Sequence, residues 1–165
     1  QNFFYRNFTH FNNFFFIYYC KYNFFSNLSL FLMVNINIYF IMNEDKEIKA
    51  LVVDDSALNR QIIVEYLKGK DIKTIEAEDG EQALAKIEEE KPDIILLDLI
   101  MPVMDGFEVL DELKKRNNTI PVLVITAYLK GNTFQRCMEL GAKGFLNKPI
   151  KMQELFNLIS QIIDY

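Results

Sequence analysis

Short apolar runs alternate with stretches in which apolar residues recur at three- and four-residue intervals through most of the chain. Ala50 to Val53 is the first run, and Leu58, Ile62, Ile63, Tyr66 and Leu67 then recur at helical spacing. Thr74 to Ala77 reads as a second strand, followed by Ala83, Leu84 and Ile87 on a second helix. Ile94 to Leu97 is a third run, and Phe107, Leu110 and Leu113 mark a third helix. Val122 to Ile125 follows Pro121 as a fourth run, with a weakly patterned helix after it that ends near Gly141, a residue type suited to a C-terminal cap. Gly144 to Leu146 is a short fifth run, and Leu155, Ile159, Ile162 and Ile163 line a last helix.

Five strand–helix pairs of this kind predict an α/β fold with a parallel sheet and helices on both faces. Three of the strand candidates are continuously apolar, as strands covered on both faces should be. Ligands of such folds gather at the carboxyl ends of the strands, near the topological switch point.

The polar residues just beyond each run therefore matter most. Asp54 and Asp55 follow the first run, Asp98 the third, Thr126 the fourth, and Lys148, with Pro149 behind it, the fifth. One such aspartate could be a solvated turn residue. Three carboxylates, a hydroxyl and an ammonium at strand ends point instead to one crevice. Carboxylates that close repel unless a positive charge joins them. Oxygen donors without nearby histidine or cysteine suit Mg2+, which keeps several of its waters and needs few protein ligands.

A carboxylate, a hard cation, a hydroxyl and a lysine together suit phosphoryl transfer, with the carboxylate as nucleophile. The chain has no G-x-x-x-x-G-K-[ST] loop for a nucleotide donor, and residues 42–165 contain no histidine. The phosphoryl donor is expected to be another protein or a small phospho-compound.

Composition divides the chain. Residues 1–41 hold 11 of the 15 Phe, 5 of the 8 Tyr and 8 Asn, with no Gly, Ala, Pro, Asp or Glu. Phe24 to Met42 lacks charge over nearly a membrane-spanning length, but Ser26, Asn27, Ser29, Asn35 and Asn37 interrupt it. The segment also lacks the small residues of a secretory cleavage site. Phe, Tyr, Asn, Ile and Lys, all with AT-rich codons, make up 29 of these 41 residues. The reading is a non-domain extension of non-native origin, with a membrane segment as the alternative; N-terminal sequencing of the native protein separates the two. Met42 would then open the domain, 42–165. That part carries all 23 acidic residues and 16 of the 18 basic ones, a net charge of −7, which disfavours nucleic acid. Cys20 and Cys137 have no partners at metal-ligand spacing, which fits reduced thiols in the cytoplasm.

Four segments together carry a resemblance: "LVVDDS" at 51–56, "DIILLDLIMPVMDG" at 93–106, "PVLVITA" at 121–127 and "GAKGFLNKPI" at 141–150. Residues 47–163 resemble the receiver domain of two-component response regulators. The resemblance implies a flavodoxin-like (βα)5 sandwich with the parallel order 2-1-3-4-5. It implies Asp98 as phosphoacceptor, Asp55 as direct Mg2+ ligand, Asp54 as a ligand acting mainly through water, and the Ile100 backbone carbonyl as a further ligand. Thr126 would reach toward the phosphoryl group and Lys148 would pair with one of its oxygens. Phe145 would be the aromatic switch, although packing alone allows a core aromatic there. The Lys148–Pro149 peptide is expected to be cis. Ile100 and Tyr128 are bulky neighbours expected to slow hydrolysis of an acyl phosphate.

The partners implied are a histidine kinase or phosphotransfer protein as donor and an unknown downstream protein as target, without direct DNA binding. The domain would be a phosphoacceptor that assists its own phosphorylation and dephosphorylation, not a turnover enzyme. The chain ends at Tyr165 soon after the last helix, so a single-domain receiver is expected. Asn59 and Arg60 resemble receivers attached to hybrid histidine kinases, so a fragment of such a kinase is one alternative. A receiver-like scaffold that is never phosphorylated is another. A magnesium-dependent phosphatase would want an aspartate where Ile100 stands.

Overall fold

The computed structural model describes residues 47–128 and 130–163. The extension read at 1–41 and the first residues of the domain from Met42 lie outside the described residues. Strands β1 (Lys49–Val53), β2 (Lys73–Ala77), β3 (Ile94–Leu97), β4 (Val122–Thr126) and β5 (Gly144–Asn147) form one sheet. Its order is β2-β1-β3-β4-β5, and every pairing is parallel. Helices α1 (Ala57–Lys68), α2 (Gly80–Glu90), α3 (Gly106–Lys115), α4 (Thr133–Glu139) and α5 (Met152–Ile162) connect and follow the strands. The sheet order is the flavodoxin-like one expected from the sequence.

Alternation along each strand sends neighbouring side chains to opposite faces. Leu51, Val53, Ile95, Leu97 and Val124 pack with Leu84 and Ile87 of α2, Leu110 and Leu113 of α3 and Cys137 of α4. Ala50, Val52, Ile94, Leu96, Leu123 and Ile125 pack on the other side with Ile63 and Leu67 of α1 and Leu155 and Ile159 of α5. β1, β3 and β4 are buried almost throughout, so they hold the rigid centre of the sheet. β2 starts one residue earlier than its apolar pattern, at Lys73, and is an edge strand with Lys73 and Glu76 exposed.

The helical periodicity of α1 overstated its buried face. Leu58 and Ile62 are 66% and 48% exposed, whereas Ile63 and Leu67 are fully covered. Residues four apart share a face of a helix. The pair Leu58–Ile62 therefore lies about 140° round the helix from Ile63–Leu67, and the sheet reaches only the second pair. Ile163 falls just beyond α5 as its C-cap residue.

Helix starts and stops follow local chemistry. Ser56 and Asp79 accept hydrogen bonds from the third residue of the helices they open. Asp105 and Glu108 form a reciprocal capping box at the start of α3. Gly141 follows α4 with φ +100°, a backbone region open to glycine. Gly106 serves a different purpose. A Cβ there would fall inside contact distance of the Asp98 carbonyl oxygen and the Leu99 Cα. The Gly106 amide also donates to the Leu99 carbonyl at 3.0 Å. Only glycine lets α3 begin this close to the end of β3.

Gly106→Ala is expected to destabilise the domain by about 1–3 kcal/mol, because the close approach is to backbone and cannot relax by a rotamer change. Thermal unfolding followed by circular dichroism should show a midpoint several degrees lower. An unchanged midpoint would show that the loop yields freely.

Candidate functional site

β1 and β3 are neighbours in register, with Val53 opposite Leu97. The residues that follow, Asp54 and Asp98, therefore leave the sheet side by side. Both are still tied to it: the Asp54 amide donates to the Ala77 carbonyl at 3.2 Å and the Asp98 amide to the Val53 carbonyl at 2.9 Å. Asp54 and Asp98 are buried, and Asp55 is exposed at the rim. One carboxylate oxygen from each of Asp54, Asp55 and Asp98 lies within 4.8 Å of the other two.

Lys148 completes the cluster. β5 lies two strands from β3, and the lysine side chain spans that gap. Its backbone amide donates to the Thr126 carbonyl at 2.9 Å, and the Lys148–Pro149 peptide is cis as expected. Its Nζ donates to Asp54 Oδ2 at 2.6 Å and to Asp98 Oδ2. Burial by itself would lower the pKa of this ammonium. The hydrogen bonds to Asp54 and Asp98, with their charges, outweigh burial and hold it above its ordinary value. Lys148 is therefore a cation at neutral pH. Unit charges 4 Å apart interact by about 4 kcal/mol at an effective dielectric of 20, so the ammonium offsets much of the repulsion between the two buried carboxylates.

The remaining carboxylate oxygens are held unequally. Asp98 Oδ1 accepts from the Leu99 amide at 2.6 Å and lies 3.4 Å from the Ile100 amide. Asp54 Oδ1 accepts from the Ser56 amide at 2.9 Å and from Asn59 Nδ2 at 3.2 Å. The Asp55 carboxylate accepts no hydrogen bond from the described residues. The donor set fits a hard divalent cation: oxygens only, two of them anchored, and one exposed carboxylate free to turn toward it.

The other expected residues stand around this cluster. Thr126 is buried, and its Oγ1 accepts from the Tyr128 amide at 3.1 Å, which leaves its own hydroxyl proton free to donate. Phe145 is half-buried on the core, edge-on to Phe134 with ring centroids 5.7 Å apart. Ile100 is 53% exposed beside Asp98. Tyr128 packs on the core and edge-on to Phe107, with ring centroids 6.3 Å apart. Sequence reasoning did not place Asn59, Arg60 or Gly106 at the site. The signal for the first two was their position about one turn into the helix that follows the acidic pair.

Asp55→Asn is expected to stabilise the domain in metal-free buffer. It removes one of three converging negative charges without changing volume, and about 1 kcal/mol is the scale for a rim carboxylate. The check is the thermal midpoint in the presence of a chelator, which should rise by a few degrees.

Comparison with known proteins places this arrangement. The family model described as "Response regulator receiver domain" matches residues 50–160. A protein-glutamate methylesterase/protein-glutamine glutaminase of Treponema denticola is 44% identical over 109 residues, which cover 63% of this chain and 29% of that protein. The chain thus spans under a third of that relative. The sporulation initiation phosphotransferase F of Bacillus subtilis is 34% identical over 123 residues, 74% of this chain and 96% of that protein. The solved structure of the Vibrio cholerae chemotaxis protein CheY4 aligns with a TM-score of 0.66 at 31% identity, over 70% of this chain and 98% of that one. Sheet order, acidic crevice and sequence agree, and the chain belongs to the response regulator receiver domain family.

Proposed function

We propose that this domain accepts a phosphoryl group on Asp98 from a histidine kinase or a phosphotransfer protein, in an Mg2+-dependent reaction. The observation that carries the reading is the shared grip of Lys148 on Asp54 and Asp98 beside the free Asp55 carboxylate. Asp54, Asp55 and Asp98, with the Ile100 carbonyl, would hold the cation. When bound, Mg2+ would neutralise charge on the transferring phosphoryl oxygens.

The chain's own residues supply the rest. Backbone amides fix Asp98 Oδ1, so Oδ2, the oxygen facing Lys148, is the attacking atom. The bond from Oδ2 to phosphorus forms as the bond from phosphorus to the donor imidazole nitrogen breaks, and that nitrogen keeps the electron pair. Lys148 passes from the carboxylate to a phosphoryl oxygen. The Thr126 hydroxyl donates to a second oxygen, and the half-buried Phe145 ring moves inward with it. The domain is then a phosphoacceptor that also assists loss of its own phosphoryl group, not a turnover enzyme.

The partners are proteins in this reading. Leu58, Ile62, Ile100 and Val103 are exposed aliphatic residues on α1 and on the loop after β3, the two elements that flank the crevice. They suit an approaching protein donor better than a small solute. The output is a contact with a downstream protein near Phe134 and Phe145. The acidic balance of residues 42–165 argues against direct DNA contact. No helix of the described residues is long and apolar enough to cross a membrane, and a cytoplasmic place fits the free, buried Cys137.

Incubation with labelled phosphoramidate and Mg2+ should label the wild-type chain, and Asp98→Asn or chelation of the metal should abolish labelling. An unlabelled wild-type chain would favour the non-phosphorylated scaffold. The decay of the label after donor removal should take hours, with Ile100 hindering water, and Ile100→Asn should shorten it by about tenfold or more. Loss within seconds in the wild type would refute the shielding.

A further inference from the structure

Arg60 makes contacts that none of the roles above requires. It stands in the second turn of α1, and its side chain is 14% exposed. Its Nη1 donates to the Asp54 carbonyl at 2.8 Å and lies 3.4 Å from the Asp55 carbonyl. Its Nε donates to Glu76 Oε2 at 3.1 Å. One planar guanidinium thus joins the loop that carries both aspartates to β2, where Glu76 lies in register with Val52 of β1.

The two aspartates depend on this clip to different degrees. Asp54 has other anchors, through its amide to Ala77 and through Oδ1 to Ser56 and Asn59. Asp55 has an exposed carboxylate and a carbonyl directed at Arg60, with no other anchor among the described residues. The guanidinium lies behind the cluster of three carboxylates, with its own charge paired to Glu76. Lys148 must leave that cluster to pair with a phosphoryl group, whereas Arg60 bonds only to backbone and to Glu76 and can stay.

Resting on the metal-dependent reading above, we infer that Arg60 is the positioning residue for the cation: it orients the Asp54–Asp55 loop from behind the carboxylates. The forked geometry carries the role, since Glu76 balances the charge. A lysine could keep the charge but could not bridge two loop carbonyls and Glu76 from one plane. Partners one layer behind a metal's ligands commonly change metal affinity by about 10- to 100-fold when removed.

The test uses the full chain with Mn2+ as probe, its free concentration read by electron paramagnetic resonance. Phosphorylation by phosphoramidate is measured alongside as a function of Mg2+. Arg60→Met and Arg60→Lys should each weaken Mn2+ binding by about tenfold or more. The half-saturating Mg2+ should rise in step, and the rate at saturating Mg2+ should stay within about twofold of wild type. Asp55→Asn is the control for the site itself. Wild-type binding lost in Asp55→Asn but unchanged in both Arg60 variants overturns the role of Arg60 and leaves the metal site standing. A wild-type chain that takes up no Mn2+ overturns both. A lower thermal midpoint with unaltered Mn2+ affinity shows a merely structural arginine and also overturns the role. Should Arg60→Met fail to fold, Arg60→Lys decides by the same criteria.

Discussion

Everything in this domain turns on placing like charges where they repel. Asp54 and Asp98 are buried next to each other with Asp55 at the rim, and no arrangement of carboxylates alone would hold there. Lys148 makes it tolerable by bonding both buried carboxylates at once. The ammonium occupies oxygens that a divalent cation or a phosphoryl group would otherwise engage. The resting site is thus a partly balanced cluster, in which one ammonium stands against three carboxylates.

That balance requires a stiff support. The carboxylates stand at the ends of β1 and β3, two of the three interior strands, with helices on both sides. A soft support would let the carboxylates drift apart and undo the convergence that suits the site to a cation. Close packing prevents this, since core side chains on both faces fix each strand laterally. Gly106 extends the same stiffness past the end of β3 by allowing α3 to start against the Asp98 carbonyl. The amides of Leu99 and Ile100 are then held toward Asp98 Oδ1.

The chain leaving the site leads outward to surfaces a partner could sense. Thr126 ends β4, which pairs with β5, where Phe145 stands opposite Val124. Phe145 touches the exposed Phe134 of α4. On the other side, α1 carries Asn59 and Arg60 toward the acidic loop and Leu58 and Ile62 toward solvent. One short helix therefore joins the acidic loop to an exposed apolar face, through side chains only one or two positions apart.

The sequence by itself determined the architecture and the chemistry of the crevice. Continuous apolar runs mark strands buried on both faces, and polar residues just beyond them have nowhere else to go but the carboxyl edge of the sheet. Asp54, Asp55, Asp98, Thr126 and Lys148 were all legible for that reason. Tertiary structure alone decided what depends on contacts between distant elements. Periodicity gives a helix its apolar residues but not the neighbour that covers them, so Leu58 and Ile62 looked buried and are exposed. Tyr128 stood two residues from Thr126 in the chain, yet Phe107 draws its ring to the core. The contacts of Arg60 and the close approach at Gly106 involve backbone carbonyls of the loops after β1 and β3, and such groups carry no signal in the identity of a residue.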